Sequence, residues 1–286
     1  MTPPGMNEND PRTIVITGAS SGIGAAAARQ LALAGQRVVV VGRDPRRTRQ
    51  VAEGIGMPFH VADFAVLAQV RALADELRAS YPRIDVLANN AGGIFGDRTV
   101  TVDGFEATFQ TNHLAAFLLT NLLRDRLVDS GAAVIQTSSV AARRFSRFDI
   151  DDLNAERRYS ASSAYGNAKL ANILFTKEIE RRWGDDGVAA AAFHPGVIGS
   201  SFAATAKGPW RFMYTNPVTS RLLTSTDVGG ARLAWLALGK PGLDWEHGGY
   251  YVANRLARTS PVAADPVIAA RLWDRSAEMV GLGISR

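Results

Sequence analysis

The chain has 286 residues, 47% of them hydrophobic, enough to build one large core. It has no cysteine, which excludes disulfides, thiol nucleophiles and thiolate metal sites. The net charge of +5 comes with arginine clusters at 46–49, 143–144 and 181–182; these are scattered and lack interleaved aromatics, so they read as solvated surface and not as a nucleic-acid footprint.

Residues 1–12 are polar, carry three prolines and read as a disordered lead-in. Residues 13–286 read as a single domain, because no repeat or low-complexity linker divides them. No apolar run approaches the roughly 20 residues needed to cross a bilayer. Membrane insertion is therefore not expected, and the location expected is cytoplasmic.

Thr13–Thr17 is a short β-branched run that ends in a glycine turn, Gly18-Ala19-Ser20-Ser21-Gly22-Ile23-Gly24, followed by an alanine-rich helical stretch to about Ala34. Strand, glycine turn and helix together aim backbone amides and a helix N-terminus at a phosphate. The spacing G-x-x-x-G-x-G departs from the usual G-x-G-x-x-G. Residues 18–22 also fit the G-x-S-x-G elbow of serine hydrolases, with His194 as the base, but that reading leaves Arg43, Tyr165 and Lys169 unexplained.

Residues 37–42 form a second strand, apolar enough to be buried on both faces. Where an NAD-binding unit would place an acid on the ribose, this chain has Arg43, with Arg46 and Arg47 behind it. A guanidinium there suits the 2′-phosphate of NADP, so NADP(H) is favoured over NAD(H). A third strand at 58–63 ends in Asp63, placed to meet an adenine or to cap the helix expected over 66–79. The fourth strand, 84–88, runs into Asn89-Asn90-Ala91-Gly92-Gly93.

A long helix is expected from about 103 to 127, with Asn112 in its middle. Asn disfavours helix interiors, so it needs a reason there, such as a bend or a bound water. His113 is assigned no role. The fifth strand, 133–137, delivers Ser138-Ser139 at its carboxyl end, where open α/β sheets bind ligands. After a polar insertion at 143–160 comes a helix that carries Tyr165 and Lys169 four residues apart, on one face. A nearby ammonium favours the phenolate and brings a phenol, ordinarily near pKa 10, toward the working range. A sixth strand at 188–193 leads to His194-Pro195-Gly196-Val197. Residues 200–223, with Trp210, Phe212, Met213 and Tyr214, suggest a substrate lid. A helix over 226–238, a strand at 250–252 and a final helix over 265–280 complete the chain. The alternation predicts an α/β, doubly wound Rossmann fold with a parallel sheet of about seven strands and helices on both faces.

Taken together, Thr17-Gly18-x-x-x-Gly22-x-Gly24, Asn89-Asn90-Ala91-Gly92, Asn112, Ser139, Tyr165-x-x-x-Lys169 and Pro195-Gly196 resemble the short-chain dehydrogenase/reductase family over nearly the whole chain. The stretch 165–175, the His-Pro-Gly at 194–196 and the long insertion are most similar to its retinol-dehydrogenase-like branch. The resemblance implies an oxidoreductase that moves a hydride between a nicotinamide and a small hydrophobic alcohol, aldehyde or ketone. Tyr165 would be the general acid or base, and Lys169 would lower its pKa and bind the nicotinamide ribose. Ser139, with Ser138 as the fallback, would hold the substrate oxygen, and Asn112 would hold a water that links Lys169 to solvent. The cofactor would lie on Gly18, Ser20, Ser21, Gly22, Ile23, Gly24, Arg43, Asp63, Asn90, Ala91 and Gly92. Pro195, Gly196, Val197 and Ser200 would meet its nicotinamide end. No metal site is expected. Family habit allows a homodimer or homotetramer, with Phe117, Leu118 and Leu122 as candidates for the pairing face.

Overall fold

The computed structural model describes residues 10–197 and 224–283. Four valines in a row make β2 (Arg37–Gly42) a strand that packs on both faces, and β1 (Thr13–Ile16) beside it is equally buried. β3 (Phe59–Val61), β4 (Val86–Asn89), β5 (Ala133–Thr137), β6 (Ala189–His194), β7 (Gly249–Val252) and β8 (Arg255–Leu256) complete one sheet, in the order β3-β2-β1-β4-β5-β6-β7-β8. All neighbours are parallel except β7 and β8. The fold class is as expected. The eighth strand was not anticipated, because it is only two exposed residues returning through Ala253 and Asn254, both at positive φ.

Alternate strand residues feed two cores. On one face Leu87, Val134, Ala190 and Tyr250 pack with α3 (Leu67–Ser80), α5 (Ala115–Leu122), α8 (Ala161–Trp183) and α10 (Pro266–Met279). On the other, Ile14, Val38, Ile135 and Phe193 pack with α1 (Gly22–Leu33) and α9 (Thr226–Leu238). α2 (Pro45–Ile55) starts on Pro45, after Asp44, whose carboxylate accepts from the Arg47 amide at 3.0 Å. No helix among the described residues is long and apolar enough to cross a membrane.

The long helix expected over 103–127 is broken into α4 (Ala107–Phe109), a π turn (Gln110–Leu114), α5 and α6 (Arg124–Ser130). Its start moves to 107 because buried Glu106 caps the amides of Thr108 and Phe109, at 2.8 and 2.7 Å. Asp103 serves another element: its carboxylate accepts from the Leu67 amide, at the start of α3, and from Gln110 Nε2. Phe117 and Leu118, candidates for a pairing face, are fully buried within the fold, and Leu122 is only partly exposed.

The insertion after β5 forms α7 (Ala141–Arg144) and a docked loop. Arg98 donates to the carbonyls of Asn154 and Ala155, and the Tyr159 hydroxyl donates to the Phe95 carbonyl at 3.2 Å. Residues 93–99 and 145–160 are thereby held together above the sheet edge.

Candidate active site

The carboxyl ends of β1 to β6 open into one cleft of about 1550 Å³. The threonine that follows β1 and the asparagine that follows β4 fix its floor. Thr17 Oγ1 accepts from the Asn90 and Ala91 amides, each at 3.0 Å. Asn90 Nδ2 donates to the carbonyls of Thr17 and Gly18, and its Oδ1 accepts from Thr137 Oγ1 at 3.2 Å. Three strand ends are so locked by bonds worth on the order of 1 kcal/mol each. Asn90 and Ala91 both line the cleft, but the Asn90 side chain is committed to this lock.

The glycine turn divides into structural and open positions. Gly18 sits at φ +66°, and a Cβ there would lie 2.7 Å from Ala91 Cα, so no other residue fits without displacing backbone. Gly22 is at φ +57° with open space where a Cβ would project. Ser21 precedes α1 without a side-chain cap bond, which leaves first-turn amides for a ligand. Gly22, Ile23, Ser20 and Ser21 line the cleft, and this arrangement fits a phosphate. Gly24, expected to touch the cofactor, does not reach the wall: it is buried, and a Cβ on it would lie 2.5 Å from the Gly18 carbonyl oxygen. Its role is close packing of turn against helix.

Arg43 is exposed on the wall beyond β2, with Arg46 and Arg47 beside it. Asp63 also lines the cleft, but it does not cap α3. Its Oδ1 accepts from the Ala65 amide at 2.9 Å, closing a local turn, while Asp103 caps the helix. Pro195, Gly196 and Val197 line the far end, where the Thr224 amide donates to the Val197 carbonyl. Ser200 and the lid expected at 200–223 lie outside the described residues.

Tyr165, half-buried, and Lys169, buried, project from one face of α8 into the cleft, with the Lys169 Nζ 5.5 Å from the Tyr165 ring centroid. Lys169 Nζ donates to the Thr137 carbonyl at 3.0 Å, and burial pushes the ammonium pKa down to about 7. The two serines separate cleanly. Ser138 is buried and its hydroxyl donates to the Lys169 carbonyl at 2.7 Å. Ser139 is partly exposed on the cleft; its Oγ accepts from the Ala141 amide at 3.1 Å, which leaves its own proton to donate.

Asn112 stands in the π turn behind the wall. Its Nδ2 donates to the carbonyls of Gly93 and Thr108, both at 2.8 Å, while its buried Oδ1 has no protein partner. A Cβ on Gly92 would lie 2.2 Å from that Oδ1 and 3.3 Å from Lys169 Nζ, so a glycine is required where the asparagine and the lysine meet.

Ile94, Phe95, Val140 and Phe145, to which sequence reasoning assigned nothing, also line the cleft, as does Arg144, expected as solvated surface. One signal was available: Gly166, an otherwise unexplained glycine inside α8, would place a Cβ 2.7 Å from the Ser146 amide, so it marks where the 145–146 backbone lies on the helix. His194 is buried beside the cleft, and burial, then Arg232 and Arg144, lower its pKa to about 4. It is therefore a neutral imidazole near pH 7.

Comparison with known proteins agrees with this geometry. The family model described as short chain dehydrogenase matches residues 12–209. A Streptomyces sp. (strain C5) protein assigned as a daunorubicin C-13 ketoreductase is 48% identical over 277 residues, covering 94% of this chain and 93% of its own. Human retinol dehydrogenase 14 is 35% identical over 291 residues, covering 95% and 87%. Among solved structures, an uncharacterised protein of Mycobacterium paratuberculosis superimposes with a TM-score of 0.75 at 33% identity, covering 100% and 99%. A gluconate 5-dehydrogenase from Burkholderia cenocepacia J2315, in complex with NADP and tartrate, gives 0.61 at 26% identity, covering 80% and 88%. The hydrolase reading of residues 18–22 falls with these matches. The chain belongs to the short-chain dehydrogenase/reductase family, in its retinol-dehydrogenase-like branch, and is an oxidoreductase acting on alcohol or carbonyl groups.

Proposed function

We propose that this oxidoreductase uses NADP(H) in preference to NAD(H) and interconverts a hydrophobic carbonyl compound and its alcohol, with Tyr165 as the acid/base. The observation that carries the reading is that Tyr165, Ser139 and Lys169 line the same cleft as the glycine turn and Arg43. When bound, the nicotinamide supplies or accepts the hydride. The protein then has to hold the substrate oxygen and manage one proton.

Ser139 does the first, because its hydroxyl proton is available to the oxygen while Ser138 is committed to the Lys169 carbonyl. Tyr165 does the second, donating its phenolic proton in reduction and taking it back in oxidation. Lys169 is buried beside the Tyr165 ring, and in its protonated form it favours the phenolate. Asn112 offers its unpartnered Oδ1 to a water that connects Lys169 with solvent. Arg43, Arg46 and Arg47 supply the planar donors that a 2′-phosphate would select. Ile94, Phe95, Val140 and Phe145 give the reactive end an apolar wall, suited to a hydrophobic substrate.

A cytoplasmic location and a homodimeric or homotetrameric state belong to the same proposal; fractionation and light scattering test them. The chemistry is tested by a panel of alcohols, aldehydes and ketones against both nicotinamide cofactors, read by nicotinamide absorbance. Turnover of apolar carbonyls with NADPH at a higher kcat/KM than with NADH is expected. Turnover restricted to charged, sugar-like substrates with NADH would overturn the assignment.

A further inference from the structure

His113 follows Asn112 in the π turn and is completely buried against Phe109, Phe117 and Phe175. An apolar residue would pack there equally well, so the imidazole needs a reason. Its nitrogens are both used. Nδ1 faces Asn172 Oδ1 at 3.3 Å, and Nε2 faces Ser276 Oγ at 3.0 Å. The chain of bonds fixes its own polarity. Asn172 Nδ2 donates to the Thr137 carbonyl at 3.2 Å, so its Oδ1 must be the acceptor and His113 Nδ1 the donor. Nε2 is then the acceptor of the Ser276 hydroxyl proton. Burial holds the ring neutral, with its pKa lowered to about 4, as this pattern requires.

The chain ends at a carbonyl that matters. Thr137 O receives Lys169 Nζ at 3.0 Å as well as Asn172 Nδ2. Four separate elements therefore meet in one buried line: α10 through Ser276, the π turn through His113, α8 through Asn172, and the end of β5 through Thr137. The π turn carries Asn112, and α8 carries Tyr165 and Lys169. Lys169 is also held by Thr137 and Ser138, and Asn112 by Gly93 and Thr108, but this line bonds the π turn directly to α8, fixing orientation where the aromatic packing fixes only distance.

We propose that His113 and Asn172 are positioning residues, a buried clamp that locks the Asn112 turn to the helix bearing Tyr165 and Lys169. This rests on the catalytic reading above. Neither side chain touches the cleft; they act by fixing where Asn112 and Lys169 stand.

The test uses His113→Phe, which fills the aromatic pocket but makes neither bond, alongside Tyr165→Phe. In His113→Phe, kcat is expected to fall about 10- to 100-fold, the cost of a small misplacement of reacting groups. The KM for NADPH should change less than about threefold, because neither clamp side chain lines the cleft and the glycine turn keeps its own bonds through Thr17 and Asn90. The pH profile of kcat should shift with it, since the surroundings of Lys169 change: the Tyr165 ring, Asn112 and the Thr137 carbonyl. A purely structural histidine would lower the melting temperature and leave the kcat and pH profile of the folded enzyme intact, and that result would overturn the clamp. If His113→Phe does not fold, Asn172→Ser and Ser276→Ala read the same quantities. The clamp predicts a larger kcat loss for Asn172→Ser, and equal, wild-type profiles in both would overturn it. Full activity in Tyr165→Phe would instead discard the catalytic reading, whatever the clamp variants do.

Discussion

Lys169 Nζ donates to the carbonyl oxygen of Thr137, the last residue of β5, across 3.0 Å of buried space. The helix that carries the tyrosine is thereby tied to the strand that delivers the serines. Burial lowers the Lys169 pKa from 10.5 to about 7. Between those values the unfolded chain binds a proton that the folded chain has released, so this group makes stability rise with pH across that window, by up to about 1.4 kcal/mol per unit. Urea unfolding of the cofactor-free protein at pH 7, 8 and 9 checks it. Lys169→Met should flatten the slope, and an unchanged slope would show that the lysine is not the source.

Ser138 and Ser139 are adjacent but have opposite commitments. Ser139→Ala should cut kcat about 100-fold or more, with little change in melting temperature. Ser138→Ala removes a buried bond to the Lys169 carbonyl and should cost about 1 kcal/mol of stability while retaining more of the turnover. The reverse pattern would reassign the substrate-holding hydroxyl to Ser138.

Gly92→Ala places a methyl where Asn112 Oδ1 and Lys169 Nζ converge. One of them must move. Circular dichroism is expected to stay native while kcat falls about 100-fold. Wild-type kcat would mean that neither group needs its present position.

Arg43→Ser should raise the KM for NADPH about 10- to 100-fold and leave that for NADH nearly unchanged, because only one of the two carries the 2′-phosphate. Equal effects on both would place Arg43 outside cofactor discrimination.

How much of this was legible beforehand follows from what each residue reports locally. β5 at 133–137 and α9 at 226–238 begin and end where expected, because doubly buried strands and capped helices announce their limits in residue type. β8 was invisible, being two exposed residues that only pair with β7. The break at Asn112 was signalled by an asparagine inside an apolar helix, but its form as a π turn depends on back-bonding to Thr108 and on Glu106. Asp103 takes the cap of α3 expected of Asp63, because both are short acids near a helix start and only the tertiary approach of residue 103 to Leu67 decides between them. Gly24 and Gly22 look alike in sequence, yet one packs against the Gly18 carbonyl and the other faces open space. His113 carried no readable signal at all, since its partners lie 59 and 163 residues away.

Kinetics of Tyr165→Phe with NADPH and an accepted ketone test the central claim most directly. Loss of at least about 1000-fold in kcat, with the NADPH dissociation constant within about threefold of wild type, is the result expected of a phenol that carries the proton. Turnover at the wild-type rate would show that the proton is handled by another group.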